Sequence, residues 1–265
     1  ELALHSEEKK EKLCNFIVFF CGTVIFLAGI CWISFYDSVP AYDQMDVYAE
    51  AQRIAGFLNE PFDTGYFSFF RRNRGIVLLM AASLRLFGNS PVSFRLLNLP
   101  ASILTYYCVC KTSKLVYKNQ MVTAVTAFLL MLFYPLFLYT SFLYGTLLSV
   151  AFTSLGLYAA VSFEKTKRWL YALLFLLAFP LGILMHQSAA IGLLASLFYL
   201  IIHAQKERLL HHLLLFVSVI LLTFFSIKLV DIAYVRITEA DPDTSSVPAI
   251  CTIYMGLTAT EGASG

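Results

Sequence analysis

The chain has 265 residues, 59% of them apolar, 15% aromatic and 14% charged, and its mean hydropathy is +0.73. Soluble domains run near ~45–50% apolar and ~25% charged, so this composition describes an integral membrane protein. With 19 basic against 17 acidic residues the net charge of +2 argues against nucleic acid as a partner. The six cysteines include no C-x-x-C, lie mostly in apolar stretches and read as structural rather than as a zinc framework.

A spanning helix needs about 20 apolar residues, and seven runs of that order are present: 14–36, 97–117, 121–139, 142–163, 169–185, 188–204 and 213–232. The first exceeds the about 7–15 residues of a cleavable signal core and no small-x-small site follows it, so it reads as a retained anchor. Cytoplasmic loops carry the Lys/Arg excess. Lys9, Lys10 and Lys12, then Lys111, Lys114 and Lys118, then Lys165, Lys167 and Arg168, then Lys206 and Arg208 place eleven basic residues on one side, while connections 140–141 and 186–187 carry none. The expected topology is a multi-pass membrane protein with its amino terminus in the cytoplasm. A seven-span module covers 1–232, residues 37–96 form an extracytoplasmic loop, and 233–265 form a second extracytoplasmic segment that stops without returning through the membrane.

The segment Gly75–Phe87 is too short to span: thirteen residues rise about 20 Å against a core of about 30 Å. It is expected to be an amphipathic helix at the outer membrane surface. The predicted fold is therefore all-α and integral to the membrane, with about seven transmembrane helices and a long first outer loop carrying amphipathic surface helices.

That loop holds the candidate chemistry. After Pro40, residues Val47, Ala51, Ile54 and Leu58 repeat at helical spacing, and Asp43, Asp46, Glu50 and Arg53 fall on an adjacent face. Three carboxylates grouped on such a helix can take a proton from a hydroxyl or hold a divalent cation, with no metal specified by the pattern. Asp43 at an N-cap with Asp46 near N3 would equally serve to cap the helix. Acids come first in the loop (Asp37, Asp43, Asp46, Glu50, Glu60, Asp63) and most arginines later (Arg71, Arg72, Arg74, Arg85, Arg95). A guanidinium fork matches phosphate oxygens, so Arg95, with Arg71 and Arg72, is a candidate for a lipid-borne phosphate. The alternative for Arg71, Arg72 and Arg74 is contact with anionic headgroups. Glu50, Tyr48, Asn73, His186 and Gln187 are candidate cavity-lining residues. Lys228 and Asp231, spaced i,i+3, are expected to pair or snorkel, and His211 and His212 to sit at the cytoplasmic interface.

One span is followed by a long outer loop opening with Pro40-x-x-Asp43, with Tyr48, Ala49 and Ala51 after it. Then come Gly75-Ile-Val-Leu-Leu closed by Leu86-Phe87-Gly88, Phe94-Arg95-Leu-Leu-Asn98-Leu-Pro100, and a late Pro248 with Met255-Gly256-Leu257. In this order the chain resembles the polyprenol-phosphate-sugar-dependent membrane glycosyltransferases of the GT-C class, in particular bacterial relatives of the protein O-mannosyltransferases and of the aminoarabinose lipid A transferase. The resemblance implies inverting transfer of a sugar from a polyprenyl-phosphate-linked donor to an extracytoplasmic acceptor, a cell-envelope glycan, lipid or protein. Asp43 matches the family's base, Asp46 would orient it, and Arg95 matches an arginine near the donor phosphate. It also implies further spans after the P…MGL stretch. The chain departs from the pattern at Phe70-Arg71-Arg72-Asn73, at Thr146 after Tyr144-Gly145, at the missing lysine near His186, and at Thr258. Those departures leave room for a non-catalytic lipid-binding or transport-associated protein on the same scaffold.

Overall fold

The computed structural model describes residues 2–36, 40–62, 66–67, 70–203 and 209–239. Asp37, Asp63, Lys206, Arg208 and the Pro248 to Thr258 stretch lie outside them. All regular structure among the described residues is helical: α1 (Leu2–Phe35), α2 (Asp43–Ala55), a 3-10 turn (Arg71–Asn73) running into α3 (Arg74–Phe87), α4 (Pro91–Tyr117), α5 (Gln120–Leu132), one turn of α6 (Pro135–Leu138), a second 3-10 turn (Tyr139–Ser141), α7 (Thr146–Thr166), α8 (Trp169–Met185), α9 (Ala189–Ile202) and α10 (Leu209–Thr238).

Local chemistry sets the boundaries. Ser90 caps α4, its hydroxyl accepting from the Val92 amide at 3.3 Å with Pro91 at the first helical position. The Asn119 side chain accepts from the Met121 amide at 2.9 Å to start α5. Gly56, with φ of 81°, ends α2 at Ala55, so Leu58 lies beyond the helix rather than on its apolar stripe. The Arg85 guanidinium donates to the Ile54 carbonyl at 2.6 Å, satisfying one of the last carbonyls of α2.

Six of the seven apolar runs fall each on one helix over their described residues, end residues aside, and the run 121–139 is divided between α5, α6 and the 3-10 turn after it. By length and composition α1, α7 and α10 can each cross a membrane unaided. The α3–α4 pair is bent by 111° and the α5–α6 pair by 57°; counted as one span each, they bring the helices able to cross among the described residues to as many as five. Helices α8 and α9 have 17 and 14 residues, about 26 and 21 Å of rise.

Helix α7 is the hub, packed against α4, α8 and α9, while α1 lies against α4 and α5, α10 on α8, and α2 on α3. Three apolar clusters result. One joins Cys21 and Ile25 of α1 to Tyr106, Ala127 and Leu136. Another joins Ala159 and Ala160 to Phe175, Phe179, Leu193 and Val219. The third underlies the candidate site: Val47, Ala51 and Ile54 of α2 meet Ile76, Val77, Met80 and Leu84 of α3, together with Phe94, Leu143, Leu147 and Tyr234. The apolar stripe of α3 is thus turned to protein, and its exposed apolar residues are Leu86 and Phe87 at its last turn.

Candidate functional site

Helix α2 starts abruptly. Tyr42, just before it, holds φ at 52° and is exposed, a backbone region costing about 1–3 kcal/mol for a residue with a side chain. Asp43 is then the first helical residue, where the positive end of the helix dipole favours a carboxylate. Its side chain is exposed, with no hydrogen bond or ion pair among the described residues. It faces a cleft of about 400 Å3 bounded by Ala41, Tyr42 and Gln44 on one side and Phe142, Tyr144 and Thr146 on the other. The cleft is fastened by the Leu143 amide, which donates to Gln44 Oε1 at 2.9 Å.

The three carboxylates of α2 do not gather. Asp46 is half-buried one turn on, and Glu50 is fully buried, accepting from the Tyr234 hydroxyl at 2.6 Å and from Arg53 at 3.1 Å. Among the described residues no three His, Cys, Asp or Glu side chains stand together in a metal-holding group.

A polar cluster adjoins Asp43. The Tyr144 hydroxyl donates to Asn73 Oδ1 at 3.0 Å, and the buried Asn73 amide donates to the Tyr66 oxygen at 2.9 Å. Burial, with the Asp43 carboxylate adding to it, raises both phenols above their ordinary range, so both stay protonated at neutral pH. The charge of Arg72 acts on Tyr144 in the opposite sense. His186 stands edge-on to Tyr144 with ring centroids 5.9 Å apart. In the neutral ring Nδ1 stands 2.8 Å from the Ser188 hydroxyl and 3.3 Å from the Ser188 amide. Burial first, then the nearby Arg72 charge, lower its pKa and favour that neutral form. Next to this cluster, Arg71, Arg72, Gly75, Gln187 and Asp231 line a second cavity of about 210 Å3.

Two glycines let these segments meet. A Cβ on Gly145 would stand 2.1 Å from the Met185 carbonyl oxygen, and one on Gly75 would stand 2.4 Å from that of Leu184. Only a bare Cα brings the starts of α3 and α7 onto the end of α8, and Ser149 reinforces the contact by donating to the His186 carbonyl at 3.0 Å.

Arg95 is buried elsewhere. Its guanidinium donates to the Ser141 carbonyl at 3.1 Å and to the Tyr36 carbonyl at 2.9 Å and lies over the Tyr36 ring. Asn98 donates to the Thr140 and Phe142 carbonyls beside it. Together they fix the 139–142 turn behind the cleft, and Arg95 is not in the cleft wall. The half-buried Tyr48 feels its charge, with burial as the larger effect and a net upward shift.

Several partnerships differ from those expected. Arg74 is buried: it pairs with Asp231 at 3.1 Å, lies over the Tyr234 ring and donates to the Phe67 carbonyl, so headgroup contact is ruled out for it. Asp231 therefore pairs across the fold and not with Lys228, which lies over the Phe224 ring. His212 is buried, 3.2 Å from Glu164. Arg74 and Asp231, and likewise His212 and Glu164, lie far apart in sequence, beyond the reach of i,i+3 or end-of-helix reasoning. Tyr66 and Tyr144 were not singled out as site residues; the signal available was the Tyr-Gly pair heading α7.

A helical membrane bundle with amphipathic helices ahead of its fourth helix, and acidic and basic groups gathered at one end, has the plan of a GT-C-type membrane glycosyltransferase, an enzyme whose sugar arrives on a lipid carrier. The chain belongs to the dolichyl-phosphate-mannose-protein mannosyltransferase family, whose model matches residues 75–230. No curated protein and no solved structure matches it significantly. Arg95, Tyr144, His186 and Gln187 fall within the matched segment; Asp43, Asp46, Tyr48, Glu50, Arg71, Arg72 and Asn73 precede it, and Asp231 follows it.

Proposed function

We propose that this chain transfers a sugar from a polyprenyl-phosphate-linked donor to a hydroxyl-bearing acceptor on the extracytoplasmic face of a bacterial cytoplasmic membrane. The observation that carries this reading is an exposed carboxylate without a hydrogen bond or ion pair among the described residues, Asp43, in a cleft whose other wall carries Tyr144, next to a cavity edged by Arg71 and Arg72. Asp43 takes the proton of the acceptor hydroxyl as its oxygen bonds to the anomeric carbon. The bond between that carbon and the phosphate oxygen breaks with inversion, and the electron pair leaves on the polyprenyl phosphate. Arg72 and Arg71 hold the charge that develops there. The Tyr144 oxygen, whose proton is on Asn73, accepts from a sugar hydroxyl, and neutral His186 donates to the sugar or phosphate. Arg95 acts at one remove, as a positioning residue that fixes the 139–142 turn, and Asp46 orients the acceptor side of α2. The acceptor belongs to the cell envelope, a glycan, a lipid or a protein.

The test is Asp43→Asn in the membrane-embedded protein, supplied with a radiolabelled polyprenyl-phosphate sugar. Loss of a general base lowers transfer by about 100- to 10,000-fold, while donor retention on the purified protein stays at the wild-type level. Transfer at the wild-type rate would refute the assignment.

A further inference from the structure

Away from Asp43, at the other end of the bundle, an apolar groove of about 710 Å3 runs along α1 and α4, walled by residues such as Val18, Phe19, Phe26, Ile103 and Tyr106. It leads to Lys111, Lys114 and Gln120. Lys114 and Gln120 belong equally to a second cleft of about 490 Å3 whose other walls are Leu115, Lys118, Asn119 and Lys165. An apolar slot and a cationic cleft are therefore one continuous feature.

The second cleft is cationic. Lys114, Lys118 and Lys165 come from the end of α4 and the end of α7, and none makes an ion pair among the described residues. No carboxylate among the described residues lines the cleft. Of the nearby acids, Glu11 accepts from the Gln120 amide at 3.1 Å, and Glu164 is engaged by Lys167 and His212. Three ammonium groups held around one space repel each other unless an anion sits among them. A soluble phosphate would satisfy the lysines and leave the groove unfilled; an uncharged lipid would do the reverse. Basic pockets between membrane helices hold lipid phosphates by this combination.

We propose that the protein holds one anionic phospholipid here, an acyl chain lying between α1 and α4 and the phosphate seated among Lys114, Lys118 and Lys165. The bound lipid fills the gap alongside Gly22 and Thr23 and fastens α1 to the rest of the bundle.

The experiment uses the full chain, purified in mild detergent, and offers it phosphatidylglycerol or phosphatidylcholine of matched chains. Retention is read by native mass spectrometry and stability by the thermal midpoint. The wild type is expected to retain phosphatidylglycerol with a preference of about tenfold or more, and to melt higher with it. The triple variant Lys114→Gln, Lys118→Gln, Lys165→Gln alters only exposed side chains and should lose the preference. Thr23→Trp, which fills the groove and leaves the lysines in place, should lose the retained lipid. Equal retention of both lipids, a preference that survives the triple variant, or full stabilisation by glycerophosphoglycerol without acyl chains would overturn the proposal. None of these outcomes depends on sugar transfer.

Discussion

Gly75→Ala puts the account of the site under direct mechanical strain. The added Cβ would lie 2.4 Å from the Leu184 carbonyl oxygen and 3.1 Å from its carbon, where ordinary contact begins at 3.4 Å. The obstacle is the backbone of α8, which cannot rotate aside as a side chain would, so the start of α3 must retreat by about 1 Å. Overpacking of this size costs about 1–3 kcal/mol. Asn73 and Arg72 lie two and three residues before Gly75 and move with it, and a misplacement of about 1 Å at reacting groups costs about 100-fold in turnover. Gly56→Ala is the control: its φ of 81° makes a side chain cost about 1–2 kcal/mol, yet nothing lies within 4 Å of the added atom. The assay pairs thermal midpoints with single-turnover transfer from a lipid-linked sugar. Both variants should melt lower, and only Gly75→Ala should lose turnover. Wild-type turnover by Gly75→Ala, or an equal loss in Gly56→Ala, would refute the reasoning.

Arg74→Met strands Asp231, whose side chain is 23% exposed, so the cost should fall below that of a fully buried pair, at about 2–3 kcal/mol. A double-mutant cycle with Asp231→Asn should give a coupling of about 1 kcal/mol or more, and an additive cycle would deny that this pair fastens α10 to α3. His186 adds a pH dependence. Its pKa is lowered from 6.5 in the folded chain, so below about pH 6.5 the unfolded state binds more protons and stability falls, levelling off under the native pKa. The wild-type melting point should therefore drop relative to His186→Gln between about pH 7 and 5; parallel curves would contradict the neutral assignment.

How far the sequence reaches depends on how local each interaction is. The all-helical membrane character and the positions of the seven apolar runs follow from length and composition, which each segment carries within itself. The start of α2 was legible to within a residue, because Pro40 and the 3.6-residue repeat are local signals; its end was not, because Leu58 continues the pattern past Gly56. The apolar face of α3 was legible, but an amphipathic stripe reports that something apolar covers it, not whether lipid or protein does so. Asn73, His186 and Gln187 were found as polar residues near one end. Their organisation needs Tyr66 and Tyr144, and the Tyr144–Asn73 contact spans 71 positions. Arg74 and Asp231 are 157 positions apart, so local spacing offered only Lys228 as a partner. Arg95 was singled out for its chemistry, and two backbone carbonyls, invisible to side-chain patterns, decide what it holds.

The central claim is that transfer takes place between Asp43 and Arg72. It is tested most directly by a structure of the protein in lipid nanodiscs with a non-hydrolysable polyprenyl-phosphonate sugar. The account predicts the phosphonate against the Arg72 and Arg71 guanidinium groups and the sugar in the cleft between Asp43 and Tyr144. A phosphonate seated on Arg95, or a sugar out of reach of Asp43, would contradict it.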